Sequence, residues 1–246
     1  MKVGLLVRVG IDSTSGKWNA PCDGDGRFCY VPMGYGAVSA DYDPLYRRYE
    51  RAVRSFLRLK PGSIAQSCSW PSKLPLHGHF DPDFKELTYG DQGGRAKRLL
   101  RLILPRTSFL VFYAGLRDVG SGSLVYSIIG FYEVDRILHA TDVPRTERRR
   151  NEHTRPGRFD SSGSCVVFAR RLNSGRLSKH IPIGEMRGRH YRVRKELLGA
   201  WGNLDVEDGY IHRSAFLPQF LNPRKFLRWF DRQRPTLLRT DNPARF

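Results

Sequence analysis

The sequence predicts an α+β fold, with a central curved sheet, mixed or antiparallel, and helices at its periphery. Three observations carry this. The continuous apolar and aromatic run Ser108-Phe-Leu-Val-Phe-Tyr-Ala-Gly115 and a second run, Leu124 to Val134, flank the turn-rich stretch Leu116 to Ser123 and read as a buried hairpin. From Asp43 and Pro44 to about Leu59, the residues Leu45, Tyr49, Ala52, Val53, Phe56 and Leu57 recur instead at helical spacing. Further strand patterns, Cys165 to Ala169 and a pair around Asn173-Ser-Gly175, return after the hairpin.

In chain order, Lys2 to Val9 is a first strand, running into the polar loop Gly10 to Pro21 that carries Asp12, hydroxyls and the Trp18 indole. The glycines of this loop lack the spacing of a nucleoside-triphosphate or dinucleotide motif. Phe28 to Pro32 is a short strand. Asp43 serves as the N-cap and Pro44 as the first residue of the helix to Leu59, whose other face holds Arg47, Arg48, Arg51, Arg54 and Arg58. A second helix spans about Gly94 to Ile103, a third lies near Tyr191 to Ala200 and stops at Gly202 with Trp201 packed beneath it, and a last one starts at Asn222-Pro223. Residues 1–233 are expected to form one α+β domain, with 234–246 an irregular tail.

Charge sets this chain apart. Its 246 residues carry 42 Lys and Arg, only nine of them Lys, against 24 Asp and Glu, a formal net charge of +18. The planar fork of Arg matches phosphate, so this balance favours a polyanionic partner, although a solvated basic surface has the same composition. The segment Arg145 to Arg158 concentrates six arginines, Arg145, Arg148, Arg149, Arg150, Arg155 and Arg158, in fourteen residues and reads as a mobile phosphate-contact loop. The most apolar run, Leu99 to Leu116, is interrupted by Arg101, Pro105 and Arg106, so no membrane span is expected. The start is too short in apolar residues for an export signal, and cysteines 22, 29, 68 and 165 form no Cys-x-x-Cys pair, which points to reduced thiols in the cytoplasm.

The densest chemistry lies in Leu76 to Asp91, where His77-Gly-His79-Phe-Asp81-Pro82-Asp83-Phe84 precedes Thr88-Tyr89-Gly90-Asp91. Asp12, His79, Asp81, Asp83, Tyr89 and Asp91 are the candidate catalytic residues, as acids, bases or ligands of a divalent metal. The structural alternative has Asp91 capping the helix near Gly93 and Asp81 bracing the turn at Pro82. Trp18, Tyr113 and Tyr126, with Tyr89, are the candidate walls of a base or ligand pocket, core packing being the other option for the tyrosines.

The segments Arg8-Val-Gly-Ile-Asp12, His79 to Phe84 with Thr88 to Asp91, and Phe109 to Leu116 followed by Ile128-Ile-Gly-Phe-Tyr132 resemble the nucleotide modification associated domain family, third type. Tyr191 to Leu198, Trp201-Gly202, Asp208-Gly209 and Ile211 to Ser214 extend that resemblance over most of the chain. It implies a protein that reads or helps generate modified nucleotides, DNA more than RNA, or that handles a free nucleotide. The helix and hairpin, some forty residues, are also similar to PUA-like and EVE domains, whose partly closed barrels hold a modified base in an aromatic pocket. The insert Ala37 to Pro75 departs from a minimal module of that kind. Cofactor, metal and oligomeric state stay open.

Overall fold

A computed structural model describes residues 2–12, 18–32, 44–59, 68–71, 81–103, 105–155, 162–212, 216–244 and 246, with the backbone alone for 44–46. The main elements, in chain order, are β1 (Gly4–Arg8), β2 (Pro21–Cys22), α1 (Pro44–Arg58), β3 (Thr88–Gln92), α2 (Gly93–Leu102), β4 (Phe109–Asp118), β5 (Leu124–His139), β6 (Ser164–Ala169), β7 (Gly175–Pro182), β8 (Gly184–Arg187), β9 (His190–Val193), α3 (Lys195–Trp201), α4 (Pro223–Arg232) and β10 (Leu237–Leu238). The class is α+β, as the sequence predicts.

Eight strands make one mixed sheet with the path β1-β4-β5-β6-β3. Its spine is the antiparallel hairpin of β4 and β5, built from aromatic and β-branched residues that suit a sheet buried on both sides. β1 lies parallel to β4, setting Arg8 opposite Tyr113. β5 is long enough to take two further partners, β7 along Ser127–Phe131 and β6 along Val134–His139. Register shifts at Phe112/Tyr113, Ile128/Gly130 and Val134/Arg136 bend it. No ladder joins β1 to β3 among the described residues, so the sheet is open and not closed into the barrel of a PUA-like module.

Alternation along β4 divides the core in two. Leu110, Phe112, Ala114 and Leu116 face a layer that includes Tyr49, Val53 and Phe56 of α1 and Ala96 and Leu99 of α2. Phe109, Val111 and Tyr113 face the other layer, where Trp201, Phe226, Trp229 and Phe230 of α3 and α4 pack. α4 starts where the sequence places it, because the Asn222 side chain accepts from the Lys225 N–H at 3.1 Å and Pro223 takes the first turn. α3 ends at Gly202, whose φ of 74° is left-handed.

Four local expectations change. The helix expected from Tyr191 begins only at Lys195, because Tyr191 to Val193 pair with β8 instead. Phe28 to Pro32 is buried but forms a single bridge, Cys22 to Phe28, rather than a strand. Thr88 to Asp91 lies in β3, antiparallel to β6. The basic segment is built of short 3₁₀ turns, Arg148–Arg150 and Glu152–Thr154, held by internal hydrogen bonds. Beyond Arg234, β10 pairs with β7, the Asp241 carboxylate is buried at 2% exposure, and Asn242 bonds to the backbone N–H and C=O of Tyr30.

Candidate functional site

At the end of β1 the Arg8 guanidinium, 1% exposed, is held by three acceptors. It meets the Asp12 carboxylate at 2.6 Å, donates to the Tyr126 hydroxyl at 2.8 Å and donates to the His212 carbonyl. The β1–β4 ladder places Tyr113 next to Arg8, and the Tyr113 hydroxyl donates to the Ile211 carbonyl at 3.0 Å. Burial pushes the Tyr126 hydroxyl up to about 12 and raises Tyr113 as well, while the Arg8 charge opposes both shifts. Both phenols are therefore neutral donors at neutral pH.

β3 builds a second unit of the same make. Tyr89 and Asp91 are two residues apart on a strand and share a face. The Tyr89 hydroxyl donates to Asp91, and Arg95, in the first turn of α2, donates to Tyr89 at 2.8 Å and pairs with Asp91 at 2.8 Å. Arg8 with Asp12 and Asp91 with Arg95 each span four residues and each engage one tyrosine. Tyr113 and Tyr126 pack in the α3/α4-side core and Tyr89 in the α1-side core, and the Arg8 and Arg95 charges both oppose the upward shift that burial gives the Tyr113 hydroxyl.

The other face of β3 meets the turns at 150–154. The Asp81 carboxylate accepts from the Gly90 N–H at 2.6 Å and from the Asn151 side chain at 2.9 Å. The His153 imidazole lies between Asp81, at 3.3 Å from Nε2, and the Ser164 hydroxyl, at 3.3 Å from Nδ1. Asn151 and His153 are buried, at 2% and 1% exposure. Gly90 permits this approach, since a Cβ there would stand 2.1 Å from the His153 ring. Asp81 and Asp91 also act together on the Cys165 thiol, which burial raises, so this cluster adjoins the Tyr89 unit.

The candidates of the sequence thus take different places. Asp12, Tyr126, Tyr113, Tyr89 and Asp91 belong to the two Arg units, and Asp81 to the His153 cluster. Asp91 is not the cap of α2, a place taken by Gln92. Asp83 closes a turn, accepting from the N–H groups of Lys85 and Glu86 at 2.9 and 2.8 Å, and burial with the neighbouring Asp241 pushes its carboxyl up to about 7. Trp18 packs edge-on to Trp70 in the α1-side core, on the opposite side of the sheet from Tyr113 and Tyr126. His79 and Arg158 lie outside the described residues.

In the basic segment, Arg148 donates to the Val143 carbonyl, Arg150 pairs with Glu147, and Arg155 pairs with Glu152 and caps the Arg149 carbonyl. Arg145 and Arg149 are exposed with no side-chain partner among the described residues. Sequence reasoning did not single out Arg8, Arg95, Asn151 or His153. The four-residue spacing of Arg8 to Asp12 and of Asp91 to Arg95 is a signal that finds the first two. Asn151 and His153 are hidden inside a run whose charge draws the eye to its arginines. Among the described residues no group of three or more His, Cys, Asp or Glu is placed to hold a metal ion, and no described helix is long and apolar enough to cross a membrane.

Each unit is a guanidinium held by a carboxylate and a phenol, so its donors and acceptors are fixed in place. Compared with known families, residues 4–197 match the one described as nucleotide modification associated domain 3. No curated protein and no solved structure matches the chain.

Proposed function

The chain belongs to the nucleotide modification associated domain 3 family, and from that premise we propose that it recognises, or helps generate, a modified base in nucleic acid, DNA rather than RNA, in the cytoplasm. The observation that supports this assignment of the site is the pair of Arg/Asp/Tyr units, Arg8 with Asp12 and Tyr126, and Arg95 with Asp91 and Tyr89. A guanidinium locked by a carboxylate keeps its remaining donors in a fixed plane. A base bearing an added polar group is then distinguished by whether it satisfies those donors, because a buried donor left unpaired costs about 1–3 kcal/mol. The net charge of +18 supplies attraction for the polyanion without selecting a base.

The test is a titration of duplexes that carry one modified base against the unmodified duplex of the same sequence, repeated with RNA. The modified DNA is expected to bind more tightly. In Tyr113→Phe, which keeps the ring and removes the hydroxyl, that preference narrows by roughly 1 kcal/mol, beside a loss of about 1 kcal/mol of stability from the hydrogen bond to Ile211. Equal affinity of the wild-type protein for all duplexes removes the reading.

A second reading, a base- or nucleotide-modifying transferase or hydrolase, is favoured by the line Asp81, His153, Ser164, which sets an imidazole between a carboxylate and a hydroxyl. Under this reading His153→Gln abolishes turnover of a modified-base substrate while binding persists, and an unchanged rate dismisses it.

A further inference from the structure

Beside the start of β3, the turn before that strand, Asp135 and Arg136 of β5, the end of β6 with the residues after it, the 147–150 turn and Arg239 just after β10 surround a cavity of about 990 Å³. Phe168 forms part of its wall, with the Arg136 and Arg150 guanidiniums 4.4 and 5.2 Å from the ring centroid. Glu147 fixes both, at 2.6 Å from Arg136 and 3.0 Å from Arg150, and Glu133 holds Arg170 at 3.1 Å. Three more cations have no such anchor. The Lys85 ammonium and the Arg171 and Arg239 guanidiniums are exposed and make no ion pair or side-chain hydrogen bond among the described residues. The cavity lining sets six basic side chains against Glu86, Asp135 and Glu147, so three positive charges are in excess.

We propose that this cavity is a phosphate-binding site that seats the backbone of a nucleic-acid strand, with Lys85, Arg171 and Arg239 as its phosphate contacts. The immobilised pair Arg136 and Arg150 provides a rigid cationic wall whose carboxylate partner is already satisfied. The three free cations come from separate parts of the chain, which suits successive phosphates along a strand better than the single nest a lone phosphate occupies. The site adjoins the His153 cluster through one turn: Arg150 lines the cavity, its carbonyl accepts from the Thr88 hydroxyl at 2.8 Å, and the next residue, Asn151, bonds Asp81. This proposal rests on the chain's having a nucleic-acid partner but not on selectivity for a modified base.

The experiment measures binding of a fluorescein-labelled, unmodified duplex oligonucleotide as a function of salt, with a nucleoside monophosphate as the small-phosphate arm. The triple variant Lys85→Ala, Arg171→Ala, Arg239→Ala is compared with a charge-matched control on α1, Arg47→Ala, Arg51→Ala, Arg58→Ala. The pocket variant is expected to lower the salt slope by about two to three units and weaken binding tenfold or more, while the control stays near wild type. Equal losses in both variants, or none in either, overturn the site. Loss of monophosphate binding with duplex binding intact overturns the strand and leaves a pocket for free phosphate. Modified and unmodified duplexes titrated in parallel keep the two proposals apart, since a protein without base preference can still show the pocket-specific change in slope.

Discussion

Asp83 illustrates how a single side chain can look catalytic and be structural. Its carboxylate accepts two successive N–H groups and closes the turn into β3, and Phe84 next to it donates its N–H to the buried Asp241. Burial and the Asp241 charge raise its pKa from the ordinary 3.8 to about 7, so the folded protein binds a proton that the unfolded chain releases at a lower pH. The contribution to stability is therefore full at low pH and is lost as pH rises through about 7. Thermal melts are expected to show stability falling by an amount on the order of a few kcal/mol between about pH 4 and pH 7, with a shallower dependence in Asp83→Asn. A variant that retains the full pH dependence assigns it to other groups. Asp83→Ala, which removes the acceptor, costs about 0.5 to 2 kcal/mol by the same logic as a lost cap.

Elements set which side chains meet, and β3 does so twice. Its alternation sends Tyr89 and Asp91 toward Arg95, while the backbone at Gly90 lies against His153. Gly90→Ala places a methyl 2.1 Å from that ring and is expected to destabilise the fold by about 1–3 kcal/mol. The double variant Gly90→Ala, His153→Ala recovers much of that loss in a denaturant-melt cycle, and strictly additive losses contradict the contact. The 145–155 turns make a second case. Arg148 and Arg150 tie the segment to Val143, Glu147 and Glu86, whereas the Arg145 and Arg149 side chains have no partner among the described residues. Arg145→Ala with Arg149→Ala leaves the melting temperature near wild type. Arg148→Ala with Arg150→Ala lowers it measurably, and the opposite order in the two melts would show that the turns do not depend on those bonds.

Across the whole molecule, an open mixed sheet separates two cores, and polar residues gather in clusters at the end of β1 and around β3 with the 150–154 turns. The large positive charge lies over this framework without being used up by it, since many arginines remain exposed. Duplex affinity is expected to fall at least about tenfold between roughly 50 and 200 mM salt, and a flat response argues that the partner is not a polyanion. The sequence by itself determined what depends on near neighbours. The hairpin of β4 and β5 follows from unbroken aromatic and β-branched runs, α4 from the Asn222-Pro223 start, the end of α3 from Gly202, and the family from motifs such as Arg8 to Asp12 and His79 to Asp91. Tertiary structure alone decided which of those motifs touch. Arg8 and Tyr126 are 118 residues apart, Asp81 and Asn151 70, and Tyr49 and Asp241 192. Hydrophobic periodicity specifies a local backbone and the face it buries, but it carries no record of which distant polar group will complete a hydrogen bond. That choice belongs to strand order and register, set when the sheet assembles and every buried donor and acceptor needs a partner.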